Sequence, residues 1–285
     1  MNQSTLLHLR IPFSVYLMPF FCFALSQSKG YNLTTLALTF IALHLFLYPA
    51  SNGYNSYFDK DEESIGGLKQ PPPVSKQLFI YALIFDLMAI LTGLLVNVEF
   101  AVLLVIYGLA SKAYSHPAIR LKKYPIAGLF TVVFFQGFFT YLMTSVALNG
   151  YSSSIFSYDI VFPAILCSFL LLGSYPMTQI YQHQEDARRG DLTFSRILGI
   201  RGTFVWTAVV FMIGTGGFIF YFISRYSLLT AVLFVLFLSP VLIYFMTWVL
   251  EIIRDESKAD WNSTMQLNQI SSVCFISFFV LLTFL

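Results

Sequence analysis

Charge is scarce in this sequence: 16 Lys and Arg and 14 Asp and Glu make up 11% of its 285 residues, where a soluble domain carries about 25%. An ordinary water-soluble domain is excluded. Cysteine is equally thin, since Cys22, Cys167 and Cys274 all lie in apolar runs without metal-ligand spacing, which argues against a disulfide framework or a zinc site. A net charge of +2 leaves no basic excess for nucleic acid, so the basic residues mark topology instead. No Gly/Ser linker or low-complexity tract divides the chain, and residues 1–285 are expected to form a single domain.

What the chain has in abundance is apolar and aromatic surface, 57% and 18% of its residues. The apolar runs number about nine, and they approach or reach the roughly 20 residues that cross a hydrocarbon core as helix. They are Ile11–Leu25, Leu33–Leu47, Leu78–Val96, Phe100–Ala113, Ile126–Leu148, Ile160–Ile180, Thr203–Ile223, Leu228–Leu250 and Ile270–Leu285. Two are short and need flanking polar turns to complete a crossing. Barrel strands would instead alternate in polarity over about ten residues. The reading is an all-α membrane protein, nine transmembrane helices bundled around a central cavity. Arg10 before the first run and small residues after it also fit a signal peptide, but a second span follows within a few residues.

Nearly all basic residues fall at Arg10 or in the segments after the second, fourth, sixth and eighth runs; the opposite side carries Lys29 and Arg225. The positive-inside rule then places the amino terminus in the cytoplasm and the carboxyl end on the far side. The long polar connections share the cytoplasmic side, so the cavity and any chemistry are expected to open there.

Two acidic clusters stand out at the ends of apolar runs on that side. In NSYFDKDEES, Asn55, Asp59 and Glu63 are spaced i, i+4, i+8, and share a face if the second helix continues, with Asp61 and Glu62 pointing elsewhere. In YPMTQIYQHQEDARRGDLTFSRILG, Gln179, Gln182 and Asp186 are spaced i, i+3, i+7, flanked by His183 and Glu185. Oxygen ligands without Cys suit Mg²⁺, which binds one or two carboxylates together with phosphate oxygens and water. A solvated helix end, with Lys60 and Lys69 balancing the acids, is the plainer alternative for the first cluster alone. Two half-sites facing one another account for both clusters at once.

The stretch NSYFDKDEE resembles the first signature, N-D-x-x-D-x-x-x-D, of the UbiA superfamily of intramembrane prenyltransferases, and KQPPPVS resembles the turn that follows it. YSHPAIRLKKYP, Tyr114 to Pro125, is similar to that family's loop after the fourth span, and the second acidic segment resembles its D-x-x-x-D region. The sequence departs from the pattern at Ser56, Glu63 and Gln182, which lowers the site's negative charge. The resemblance implies transfer of a prenyl group from an isoprenyl diphosphate to a small acceptor, aromatic or a quinone precursor, by Mg²⁺-assisted ionisation. It implies Asp59, Glu63 and Asp186 as catalytic, and Asn55, Asp59, Glu63, Gln182, Glu185 and Asp186 as metal ligands. Diphosphate would be gripped by Asn55, Lys69, Arg120, Lys122 and Gln182, since a guanidinium matches paired phosphate oxygens and an ammonium acts as a point charge.

Further candidates line up around this site. Asp86, in mid-span where an aspartate costs about 2.5 to 3.5 kcal/mol, is expected to face the interior as a proton acceptor or to meet Gln136. His183 is a candidate base, and Tyr114 and Tyr181 are candidates to shield a carbocation with their π faces. Within the family the alternative is a membrane terpene cyclase or synthase. From another class, a transporter could use the acids as an ion site, though it would favour acids at mid-membrane.

Overall fold

The computed structural model describes residues 1–150 and 157–285. Among the described residues nine helices are long and apolar enough to cross a membrane: α1 Gln3–Gln27, α2 Leu33–Asp59, α3 Gln77–Leu94, α4 Val98–Ser115, α5 Pro125–Asn149, α6 Tyr158–Arg189, α7 Phe194–Arg225, α8 Leu228–Arg254 and α9 Trp261–Leu282. The chain is an integral, multi-pass, all-helical membrane protein. Each expected apolar run falls largely within one of these helices, but several helices extend well past it. α1 starts at Gln3 rather than Ile11 and α9 at Trp261 rather than Ile270, because Asn2 and Asp260 accept a backbone N–H of the first turn and cap it. Asn32, Asn97 and Ser227 cap α2, α4 and α8 in the same way. Capping lets polar residues complete spans that hydropathy alone leaves short.

Four of these helices contain 3₁₀ or π segments. α1 tightens to a 3₁₀ segment at Ile11–Leu17 after Arg10 takes a left-handed conformation (φ 48°), and α6 does so at Pro176–Gln182. α2 and α5 widen to π segments at Ile41–Leu47 and Val133–Phe139. In α5 the repair is visible: Ser168 Oγ on α6 donates to Val133 O (3.0 Å) and accepts from Phe138 N–H (3.1 Å). Buried backbone groups in a bilayer need such partners. Gly137 permits the approach, since a Cβ there would lie 2.8 Å from Ser168 Cα.

Most sequential helices pack on one another, and α9 returns against α1 to close the ring. The outer surface carries exposed apolar side chains such as Leu87, Val205 and Ile213, as lipid requires. At one end of the bundle Phe23, Phe218, Phe222, Phe234, Phe278 and Phe279 interlock with almost no exposure, Phe23 stacking on Phe279 at a centroid distance of 4.6 Å. The amino terminus and the segments after α2, α4, α6 and α8 gather at the other end. There Asn2 bonds Ser75, Ser4 bonds Pro73 O, Trp261 bonds Ile65 O and Leu192 N–H bonds Lys123 O.

Candidate active site

At that loop-covered end a cavity of about 690 Å³ opens into the bundle, a size typical of sites for small organic ligands. Its mouth is built from the ends of α2 and α6, the segment after α4, and the irregular turn of α1. Asn55, Asp59, Lys122, Gln182, Asp186, and the rings of Tyr114 and Tyr181 all line it. Two acidic clusters more than a hundred residues apart in sequence thus meet at one hollow.

The row Asn55, Asp59, Glu63 does not survive intact. α2 stops at Asp59 because Lys60 turns left-handed (φ 49°) and closes the helix through Ser56 O. The chain then folds back across α1, with Gly66 and Gly67 laid on the Phe13 ring so closely that a Cβ on either would stand 2.5 or 2.9 Å from it. This reversal turns Glu63 outward, where it pairs with Arg188 at the exposed surface. It turns Asp61 inward to the cavity, contrary to the expectation that Asp61 points elsewhere.

Cations brace most of the mouth's carboxylates. Lys122 Nζ lies 2.5 Å from Asp59 Oδ2, and Arg120 stands 3.6 Å from Asp59 Oδ1. Arg120 also holds Asp191 with two hydrogen bonds, Nε to Oδ1 at 3.1 Å and Nη2 to Oδ2 at 2.7 Å. Those bonds raise its guanidinium above the usual arginine pKa. Arg189 bridges Asp61 (2.5 Å) and Glu185 (2.6 Å), and Glu185 also accepts Glu62 N–H at 3.0 Å. Among the described residues the Asp186 carboxylate accepts only from Thr193 Oγ1, at 3.3 Å. Among the described residues, buried oxygens remain without a hydrogen bond at Asp59 Oδ1 and Glu185 Oε2, and such groups are costly unless a ligand engages them. Asn55 donates to Ser115 Oγ (2.8 Å) and Gln182 to Ser64 O (3.3 Å).

Other expected residues lie elsewhere. Asp86 pairs with Lys112 of α4, under the Tyr54 ring, instead of meeting Gln136 or the cavity. His183 bonds Ser195 Oγ (2.8 Å) in a network that continues to Thr203, so it braces the α6–α7 turn and does not face the hollow. Lys69 is exposed and reaches Asn262 at 3.2 Å. Glu185 sits behind the mouth, and Arg120 holds it together from the side. Tyr114 Oη meets Tyr175 Oη at 2.5 Å within the lining.

Arg10, Asn52, Asp61 and Asp191 line the cavity although sequence reading did not place them in the site. Arg10 bonds Gly66 O (2.9 Å) and Asn52 O (3.4 Å). Its only signal was a lone arginine before Pro12, which reads equally well as a topology mark. Asp191 follows Gly190, whose positive φ of 73° turns the chain back toward Arg120.

Comparison with known proteins bears on this arrangement. The family described as the UbiA prenyltransferase family matches residues 16–278. No curated protein matches the chain in sequence. Among solved structures it is similar to a UbiA homologue from Archaeoglobus fulgidus bound to GPP and Mg²⁺, with 17% identity, TM-score 0.70, and coverage of 99% of this chain and 100% of that one. The same archaeal protein bound to DMAPP and Mg²⁺ gives 17% identity, TM-score 0.69 and the same coverage. An apo UbiA homologue from Aeropyrum pernix K1 gives 18% identity, TM-score 0.70, and coverage of 94% and 98%. At such identities these likenesses speak for the fold.

Proposed function

Because the chain belongs to the UbiA prenyltransferase family, we propose that it transfers a prenyl group from an isoprenyl diphosphate to a small aromatic or quinone-precursor acceptor. The observation that carries this reading is the convergence of Asp59 from α2 and Asp186 from α6 on the mouth of one largely apolar cavity. A ligand with a polyanionic head and a greasy tail matches that polarity. The basic segments around this end argue for its lying on the cytoplasmic face.

The donor set fits Mg²⁺ in a particular way. Among the described residues no three His, Cys, Asp or Glu side chains form a ready-made ion cage. Mg²⁺ does not require one, since it binds through one or two carboxylates with substrate phosphates and water, and Asp59 Oδ1 at the mouth accepts no hydrogen bond among the described residues, with Arg120 standing 3.6 Å away. Asp59 and Asp186 would hold it, with Asn55 and Asp61 as neighbours. Bound there, the ion supplies Lewis-acid stabilisation of the charge developing on the leaving diphosphate.

The chain's own residues do the rest. Lys122 and Arg10, which line the cavity, provide positive charge for the diphosphate oxygens, and Arg120, held on Asp191, adds its field from the side. The C1–O bond of the donor breaks with its electron pair going to the diphosphate, and Tyr114 and Tyr181 present π faces to the allylic cation. An electron-rich acceptor carbon attacks C1, and its displaced proton leaves on a diphosphate oxygen. The transport reading finds less support, since the mid-span Asp86 is tied to Lys112 away from the cavity.

The test is incubation of purified protein with labelled geranyl diphosphate and a panel of phenolic acceptors. Mg²⁺-dependent prenylation that is abolished by chelation and by Asp59→Ala is expected. Diphosphate release indifferent to both would overturn the reading, as would ion flux in proteoliposomes without prenyl turnover.

A further inference from the structure

One turn of α7 holds Gly214, Gly216 and Gly217, in the run GTGG. Glycine weakens a helix interior, so each calls for an explanation. Two are explained by the packing of α7 on α6: a Cβ at Gly214 would lie 3.3 Å from Phe169 Cβ, and one at Gly217 only 2.7 Å from Leu166 Cδ2. Gly216 has no such neighbour. Among the described residues a Cβ there would meet no atom within 4 Å, and the glycine is exposed while lining the cavity. Met212 of α7 and Leu242 and Met246 of α8 share that double character, lining the cavity yet 69%, 40% and 56% exposed. The two helices are clamped at both ends of this stretch. Phe204 meets Phe245 and Trp248 at centroid distances of 5.8 and 4.8 Å, and Phe218 and Phe222 meet Phe234 at 5.2 and 5.1 Å. Between the clamps α8 carries Pro240, which has no N–H for Leu236 O; Ser239 Oγ donates to that carbonyl instead, at 2.7 Å. A proline so placed bends a helix. The seam between α7 and α8 is therefore open sideways, in mid-span, toward the bilayer.

Resting on the transferase reading, we infer that Gly216 sets which prenyl lengths the protein takes, because a donor tail longer than the cavity leaves through the α7–α8 seam past this residue. Other routes are shut. Along the bundle axis the lining ends at Phe20 and Phe275, 4% and 5% exposed, with Phe275 stacked on Phe279 of the interlocked rings at 5.9 Å. On the α1–α9 side the lining residues Leu267 and Ser272 are 7% and 6% exposed, so that wall offers no comparable opening. Length agrees. From Thr207, the first residue of α7 in the lining, to Gly216 is about 14 Å along the helix. An extended geranyl tail of about 10 Å fits within that depth, whereas a geranylgeranyl tail is about twice as long. Its outer isoprene units then lie among lipid tails, which are as apolar as the protein's own aliphatic side chains, and add little to binding in either direction. A side chain at position 216 would stand in their path.

The experiment measures kcat/KM for geranyl and geranylgeranyl diphosphate, with Mg²⁺ and a phenolic acceptor, for the protein in lipid nanodiscs and for Gly216→Ala and Gly216→Phe. The wild type is expected to use the two donors within about three-fold of one another. In Gly216→Phe the geranylgeranyl-to-geranyl ratio should fall about ten-fold or more, with Gly216→Ala in between. Both variants should keep the wild-type unfolding midpoint, since the position faces open space. Independently of turnover, a geranylgeranyl diphosphate analogue with benzophenone on its last isoprene unit should photolabel α7 or α8 near Met212, Leu242 or Met246, and Gly216→Phe should weaken that label. A ratio indifferent to Gly216→Phe overturns the proposal, as does label confined to α1 and α9, or a wild type that rejects the longer donor. Failure of the wild-type protein to bind geranyl diphosphate with Mg²⁺ would instead defeat the transferase reading.

Discussion

The two ends of this bundle are made by the same helices and could hardly differ more. At one end α1, α7, α8 and α9 close on six interlocked phenylalanines, with Phe23 touching three of the others. At the other end α2 and α6 bring their polar ends to a hollow whose mouth is lined by Asp59, Asp61, Asp186 and Asp191. The dry end needs no partner beyond itself, because ring against ring is close packing in any apolar solvent. The hollow end leaves polar oxygens unmet and is held open by loops and ion pairs. Stability is concentrated at one end so that the other can be left incomplete.

Substitutions at the two ends should therefore separate activity from stability. The largest effect is expected from Asp186→Ala, which should lower Mg²⁺-dependent prenyl transfer by about 100-fold or more and leave the unfolding midpoint in detergent nearly unmoved. A large fall in the midpoint would mean that the mouth is structural after all. Next, Phe23→Ala should lose about 3–5 kcal/mol of stability, seen as a lower unfolding midpoint, while the folded fraction still binds geranyl diphosphate.

A third substitution tests the middle ground. Arg189→Ala would leave Asp61 and Glu185 without their shared cation, a loss of about 3–5 kcal/mol for a fully buried pair and less here. Faster proteolytic cutting within residues 60–69 should accompany it. Smallest of all is Arg188→Gln, which removes only the exposed pair with Glu63; surface pairs are worth about 0–1 kcal/mol, and neither turnover nor midpoint should shift. A marked loss of turnover there would restore Glu63 to the site.

The uneven legibility of the sequence has the same origin. Apolar runs announced the spans, and the positions of Asn55, Asp59 and Asp186 at their ends announced the mouth, because both depend on local pattern. Asp61 and Glu63 exchanged roles since the chain reverses at Lys60, and that reversal is settled by Gly66 and Gly67 packing on Phe13 some fifty residues away. Arg10 and Asp191 were hidden for a similar reason. Their sites are defined by loops that only the assembled bundle brings together. Asp86 was rightly expected to avoid lipid, but its partner Lys112 belongs to the next helix, one turn pattern that spacing within a single run does not reveal.

The brace at the mouth also imposes an order on biosynthesis. Asp59 leaves the ribosome well before Arg120, Lys122 and Arg189, the groups that later neutralise it and its neighbour Asp61. A nascent chain holding only the first three helices must therefore keep these carboxylates hydrated at the water's edge until the later segments arrive.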